Sequence, residues 1–169
     1  GVVVQMLAHG ISAGALFILC GELYERLHTR DLREMGGLWS RMRFLPPIML
    51  FFAAASLGLP GMGNFVGEIM ILLGSFKVNT AVAVLTAGGL ILAAIYGLLM
   101  MQKAFYGPAQ SEHLLADLNG REKLIMLSLI ITLLWLGLYP QTVFDTSVVS
   151  MQNLHFLFSQ ASLPVQPAL

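Results

Sequence analysis

LGLPGMGNFVGEIMILL, residues 57–73, sets a proline, four glycines and a glutamate inside an almost wholly apolar run. The run that holds it reaches from Phe44 to Phe76. As one straight helix it would be about 50 Å long, against a hydrocarbon core of about 30 Å. The run is therefore steeply tilted or broken. Gly58, Pro60, Gly61, Gly63 and Gly67 favour a break, and the carboxylate of Glu68 lies a few residues beyond it. Non-helical backbone inside a bilayer is tolerated where protein buries it or where it lines a wet cavity. A carboxylate at such a place has a use for the water or the moving backbone that the break admits.

The rest of the composition agrees with a membrane setting. Of 169 residues, 57 % are hydrophobic and 11 % charged, and the mean hydropathy is +0.78. A soluble domain carries about 25 % charged residues. The formal net charge is zero, which gives no pull towards nucleic acid. Cys20 is the only cysteine, which excludes an internal disulfide and a cysteine-based metal site. No histidine pair has metal-ligand spacing, no phosphate-cradling glycine loop follows a strand, and no nucleophile stands beside a base. No methionine opens the chain, and no basic leader or small-residue cleavage pattern precedes Val2. The chain is expected to be a piece of a longer membrane protein.

Three further apolar runs flank the broken one. Residues 2–21 form the first expected span, 44–76 the broken second, 80–102 the third and 124–139 the fourth, which stops at Pro140. Glu22 and Arg26 stand four residues apart, so the first helix is expected to continue past the membrane. The fold class is then an all-α, polytopic membrane helical bundle of four spans in one domain. Eight of the nine Lys and Arg residues, all but Lys77, fall in the two connections on one side. That side is expected to face the cytoplasm or matrix, and both ends of the chain the other way. After Pro140, Phe144, Val148, Met151, Leu154, Leu157 and Phe158 recur at helical spacing. They predict an amphipathic helix over about 142–160. It has no Lys or Arg, so it is expected to pack across protein on the outward side, or to lie there without a partner. The tail ASLPVQPAL is expected to be irregular.

Ionisable groups inside a span are costly, about 2.5–3.5 kcal/mol at a helix centre on the mildest scale, and usually mark an ion or proton path. Glu68 is the first candidate. A carboxyl drawn between burial and a neighbouring cation can load and release a proton near neutral pH. The bland alternative is a protonated side chain bonded to the next helix. His9 is the second candidate, about 18 Å along a helix from Glu22 and titrating near physiological pH when unperturbed. Its alternative is a neutral core histidine bonded to a backbone carbonyl. Ser12 and Ala13 share its face, and Gly10 and Gly14 form a GxxxG suited to close helix approach. Lys103 either snorkels from the end of the third span or sits at the mouth of a proton path. Tyr96 is a weaker relay candidate, with packing at the interface as its alternative. Thr86 and Thr132 are expected to bond between helices, and His28, His113 and His155 to be solvated.

AHGISAGALFILCGELYERLHTRDLREMGGLW (residues 8–39), followed by LGLPGMGNFVGE (57–68), resembles the C-terminal third of the antiporter-like subunits of respiratory complex I, the proton-translocating NADH:quinone oxidoreductase. Within that family the likeness is to the bacterial form of the M type, called chain 4 in mitochondria. The resemblance implies that these are the last spans of a longer subunit in a bacterial cytoplasmic (inner) membrane. It places His9 on a central polar axis. It places Glu68 on a discontinuous span, as the terminal residue of an outward half-channel; related antiporters often carry lysine there. It implies neighbouring antiporter-like subunits as partners, and no cofactor in this chain, since flavin and iron–sulfur clusters belong to other subunits. The family's glutamate–lysine pair and central lysine lie on earlier spans, so this piece could hold only the outward half of a path. A cation/proton antiporter, a membrane-bound hydrogenase subunit and a structural scaffold are the rival readings.

Overall fold

The computed structural model describes residues 1–108 and 115–161, and every regular element among them is helical. His113 and most of the C-terminal tail lie outside the described residues. The first helix, α1 (Val2–Leu27), buries Val4, Ala8, Ser12, Ala15, Leu19 and Leu23. Their three- and four-residue spacing makes one stripe, which packs on the helices described next.

After α1 the chain turns through His28, a non-glycine residue at φ 55°, whose N–H donates to the Tyr24 carbonyl. A short helix α2 (Leu38–Arg41) follows Gly36 and Gly37, both at positive φ. Trp39 on α2 stacks on Tyr106 with ring centroids 5.4 Å apart. The long apolar run then forms two helices, α3 (Leu45–Ser56) and α4 (Gly63–Val78), separated by residues 57–62. At 1.5 Å per residue they are about 18 Å and about 24 Å long, so neither spans a bilayer core alone. Gly63 opens α4 and Gly67 lies within it, so these two glycines do not form the break. They serve helix contact instead.

α5 (Thr80–Phe105) is capped by Asn79, whose side chain accepts from the N–H groups of Ala81 and Val82. α6 (Gly120–Leu138) begins in a capping box between Asn119 and Glu122. α7 (Gln141–Ala161) follows Pro140 at 67° to α6. α7 covers the expected 142–160. Val143, Phe144 and Ser147 in its first turns are half-buried, and the outer turns are exposed. α1 and α5 are each long and apolar enough to cross a membrane, and the bent α6–α7 pair passes as a third.

The core lies among α1, α2, α3, α5 and α6, around the fully buried Leu19, Leu38, Leu45, Phe52, Phe105, Met126 and Leu133. In a bilayer such packing has no hydrophobic driving force, and close backbone approach at small residues takes its place. The GxxxG of Gly10 and Gly14 is not used among the described residues: a Cβ at either would meet nothing within 4 Å. Both face away from the buried stripe of α1. The approaches occur elsewhere. A Cβ on Gly63 would lie 2.8 Å from Ala8 Cβ and 3.0 Å from Leu136 Cβ. One on Gly137 would lie 2.6 Å from the backbone of Met62. Thr86 and Thr132 also differ from expectation. Each hydroxyl donates to the carbonyl four residues back on its own helix, Val82 and Ser128, at 2.9 and 2.8 Å. That carbonyl is always within reach, so no neighbouring helix is needed.

Candidate functional site

The break takes its shape from backbone bonds that close α3. The Leu57 N–H donates to the Ala53 and Ala54 carbonyls, Gly58 to Ala55 and Leu59 to Ala54, at 3.1–3.2 Å. Gly58 at φ +70° and Gly61 at φ +93° then carry the chain through left-handed backbone that side chains resist. Asn64, on the first turn of α4, is fully buried. Its Nδ2 donates to the Ala55 carbonyl at 2.8 Å and to Ser12 Oγ at 3.0 Å. One amide therefore ties the end of α3, the start of α4 and the face of α1 together. Ser12 Oγ in turn donates to the His9 carbonyl at 3.2 Å.

Glu68 stands just over one turn into α4, and its carboxylate folds back to the break. A Cβ on Gly58 would overlap Glu68 Oε2. From α1, Gln5 Nε2 donates a long hydrogen bond of 3.4 Å to Glu68 Oε1. Gly67 permits this, because a Cβ there would sit 2.7 Å from Gln5 Cα. His9 lies one turn on from Gln5 along α1 and is exposed. The structure thus brings Gln5, Glu68 and the break together, with His9 one turn further along α1. Sequence reasoning passed over Gln5, Asn64 and Ser12 as partners. Gln5 and Asn64 are strongly polar residues in apolar runs, which was a usable signal.

The weaker candidates stand apart. Tyr96 is 68 % exposed on α5. Lys103, in the last turn of α5, lines a surface cleft with Arg30, Asp31 and Arg33. That end of the molecule is a polar knot. Arg26 bonds Glu22, Glu122 and the Ala116 and Asp117 carbonyls. Gln5 and Arg26 are about 31 Å apart along α1, so Lys103 and Glu68 occupy opposite ends of the bundle. Asp117 accepts from the N–H groups of Arg43, Phe44 and Leu45 at 2.8, 2.7 and 3.2 Å, capping α3 from a distant loop. Partial burial pushes its carboxyl pKa up. The N–H donors of Leu118, Phe44, Arg43 and Leu45 outweigh that and hold it below the usual aspartate value. Among the described residues no group of three or more His, Cys, Asp or Glu side chains is placed to hold a metal ion.

Residues 1–95, which include the break, His9 and Glu68, match the family described as NADH:quinone oxidoreductase/Mrp antiporter, transmembrane. The chain belongs to that family. It is 59 % identical over 153 residues to the NADH-quinone oxidoreductase subunit M of Pseudomonas aeruginosa, covering 90 % of this chain and 30 % of the relative. Against subunit M of Escherichia coli K12 the identity is 49 % over 170 residues, with 99 % of this chain and 33 % of the relative covered. The NADH-ubiquinone oxidoreductase chain 4 of Marchantia polymorpha is 40 % identical, with 91 % and 32 % covered. The fold matches a chain of respiratory complex I from Thermus thermophilus with bound NADH. There the TM-score is 0.74 at 34 % identity, over 79 % of this chain and 28 % of that one. The chain spans about a third of the length of the curated relatives it matches. Within this antiporter family, Tyr96, Lys103, α6 and α7 fall beyond the matched residues, and the carboxylate at the break falls inside them.

Proposed function

We propose that this chain is the C-terminal part of a proton-translocating, antiporter-like subunit of NADH:quinone oxidoreductase and supplies the outward half of a proton path. The observation that carries the reading is the Glu68 carboxylate folded against a helix break and bonded by Gln5, one helical turn before His9 on α1. A proton delivered from spans outside this chain rests on the His9 imidazole and passes through water to the Glu68 carboxylate. It leaves on the outward side when hydration of the break favours the ionised form. The side chains transfer protons only. Flavin and iron–sulfur chemistry is assigned to other subunits, and quinone reduction there supplies the energy. The translocase role is thus one of a non-redox membrane subunit, and this piece alone is not catalytic.

The same reading assigns four spans, α3 and α4 counting as one, in a bacterial cytoplasmic membrane with both chain ends on the periplasmic side. The gathering of Arg26, Arg30, Arg33, Arg41, Arg43, Lys103, Arg121 and Lys123 on the two connections of one side supports that orientation. Neighbouring antiporter-like subunits and lipid are the assigned partners. The exposed apolar surface of α5, including Leu85, Ile91, Leu92 and Leu98, suits either.

Replacing His9 by Leu and Glu68 by Gln together, in the full-length subunit, separates this reading from a scaffold. Proton pumping per assembled complex is expected to collapse while assembly persists. Loss of assembly with unchanged pumping in the complexes that remain would make the pair structural. Sodium-dependent transport by the parent protein would instead favour a cation/proton antiporter.

A further inference from the structure

Gln5 is the one side chain hydrogen-bonded to Glu68 among the described contacts, and its own acceptor is idle. Its Nε2 donates to Glu68 Oε1, while its Oε1 is buried with no partner. A buried polar atom without a partner is uncommon and calls for a reason. Two glycines build the place. Gly67 lets α1 come close enough for Gln5 to reach α4, and Gly58 leaves room for the carboxylate to fold back towards the break.

A primary amide offers donors and an acceptor on one flat group. Facing a carboxylate, it uses only a donor, which is the arrangement found. Facing a carboxylic acid, it uses both: the acid O–H donates to the amide oxygen, and the amide N–H donates to the acid carbonyl. The idle Gln5 Oε1 is the acceptor that a protonated Glu68 would need. Turning the amide over exchanges the two atoms and keeps the match. No other amide side chain is bonded to Glu68 among the described residues.

We infer that Gln5 is the positioning residue for Glu68, an amide that holds the side chain at the break in its ionised and protonated forms alike. This rests on the reading of Glu68 as the proton carrier. Gln5 exchanges no proton itself. By keeping the carboxyl in one place through loading and release, it fixes the distance from which His9 delivers. The charged surroundings leave this role to an uncharged group. α3 carries no titratable residue. On α5, Tyr96 is exposed and Lys103 belongs to the far end, as do Arg121, Glu122 and Lys123 at the start of α6. On α4 itself Lys77 lies in the last turn, and on α1 His9 stands one turn on from Gln5.

The test uses the assembled complex carrying the full-length subunit with Gln5→Met, which keeps length and removes the amide. Infrared difference spectra between acidic and alkaline pH locate the Glu68 carboxyl band as the one missing in Glu68→Gln. In Gln5→Met that band is expected to persist at higher wavenumber, because its carbonyl has lost a donor. Pumping per assembled complex is expected to fall severalfold. If Gln5→Met does not assemble, the unsubstituted complex carrying isotope-labelled glutamine gives the answer. A labelled amide carbonyl band should move with pH and stop moving in Glu68→Gln. A Glu68 band unmoved by Gln5→Met, or a labelled band indifferent to Glu68, overturns the inference. A normal pumping rate in Glu68→Gln would instead overturn the proton-path reading, and the band position would still decide whether Gln5 holds the carboxyl.

Discussion

Gly58 and Gly61 both sit at positive φ in the break, yet only one of them touches the carboxylate. A Cβ on Gly58 overlaps Glu68 Oε2, whereas one on Gly61 meets nothing within 4 Å. Alanine at either position costs about 1 kcal/mol of backbone strain. Gly58→Ala adds the displacement of Glu68. Proton pumping per assembled complex is therefore expected to drop strongly in Gly58→Ala and to change little in Gly61→Ala, with both assembled. Equal effects from the two would mean that the glycines serve only the turn. At this scale the sequence was legible where chemistry alone sufficed: a carboxylate beside helix breakers, and a histidine within a span. Gln5, Ser12 and Asn64 were not singled out as partners, because their roles depend on which faces of α1 and α4 meet. The geometry of one helix does not settle that. His9 shows the same limit. Its ring is exposed, while Ser12, which sequence spacing put on its face, is fully buried.

The break was legible in its apolar run and α7 in its helical stripe, whereas the capped starts of α5 and α6 follow from local residue types that the runs did not mark. Their ends did not follow so closely. α1 does run on to Leu27, as the Glu22–Arg26 spacing predicts, but α6 begins at Gly120, ahead of its apolar run, because Asn119 and Glu122 cap it. Run length counts only the apolar part. The start of α3 illustrates what local reading cannot reach. Its first N–H groups are satisfied by Asp117, more than seventy residues away in the chain. Asp117→Ala is expected to destabilise the full-length subunit by about 1–2 kcal/mol at neutral pH, the usual worth of a helix cap. The pH dependence has a definite sign. The folded-state pKa is lowered, so the stabilisation is complete above the ordinary aspartate value of about 4. It is lost as pH falls through the lower folded value. Melting of the detergent-solubilised complex between pH 6 and pH 3 should show a steeper acid decline in the parent than in Asp117→Ala. Parallel declines would remove Asp117 from the cap.

Over the whole molecule, polar groups separate towards two ends. Arg26, Glu22, Glu122, Asp117, Arg43 and Lys123 gather where α1 ends and where α3 and α6 begin. Gln5, His9 and Glu68 sit towards the other end with the break. The basic end was legible in the order of the cations along the chain. The polar cluster at the break was legible only as Glu68 and His9, since apolar runs hide which faces pair. Between the two ends, large apolar side chains line the outside of α5. A chain that is about a third of its relatives' length has such surface to offer lipid or further helices.

The central claim is that the carboxylate at the break carries a proton, and one substitution addresses it most directly. Inverted membrane vesicles containing the full-length subunit with Glu68→Gln would be energised with NADH. Acidification, quinone reduction and the amount of assembled complex would be recorded in the same samples. With assembly held, acidification is predicted to fall well below that of the parent, and coupled turnover to fall with it. Parent-level acidification per assembled complex would contradict the account and leave Glu68 as a packing group at a helix break.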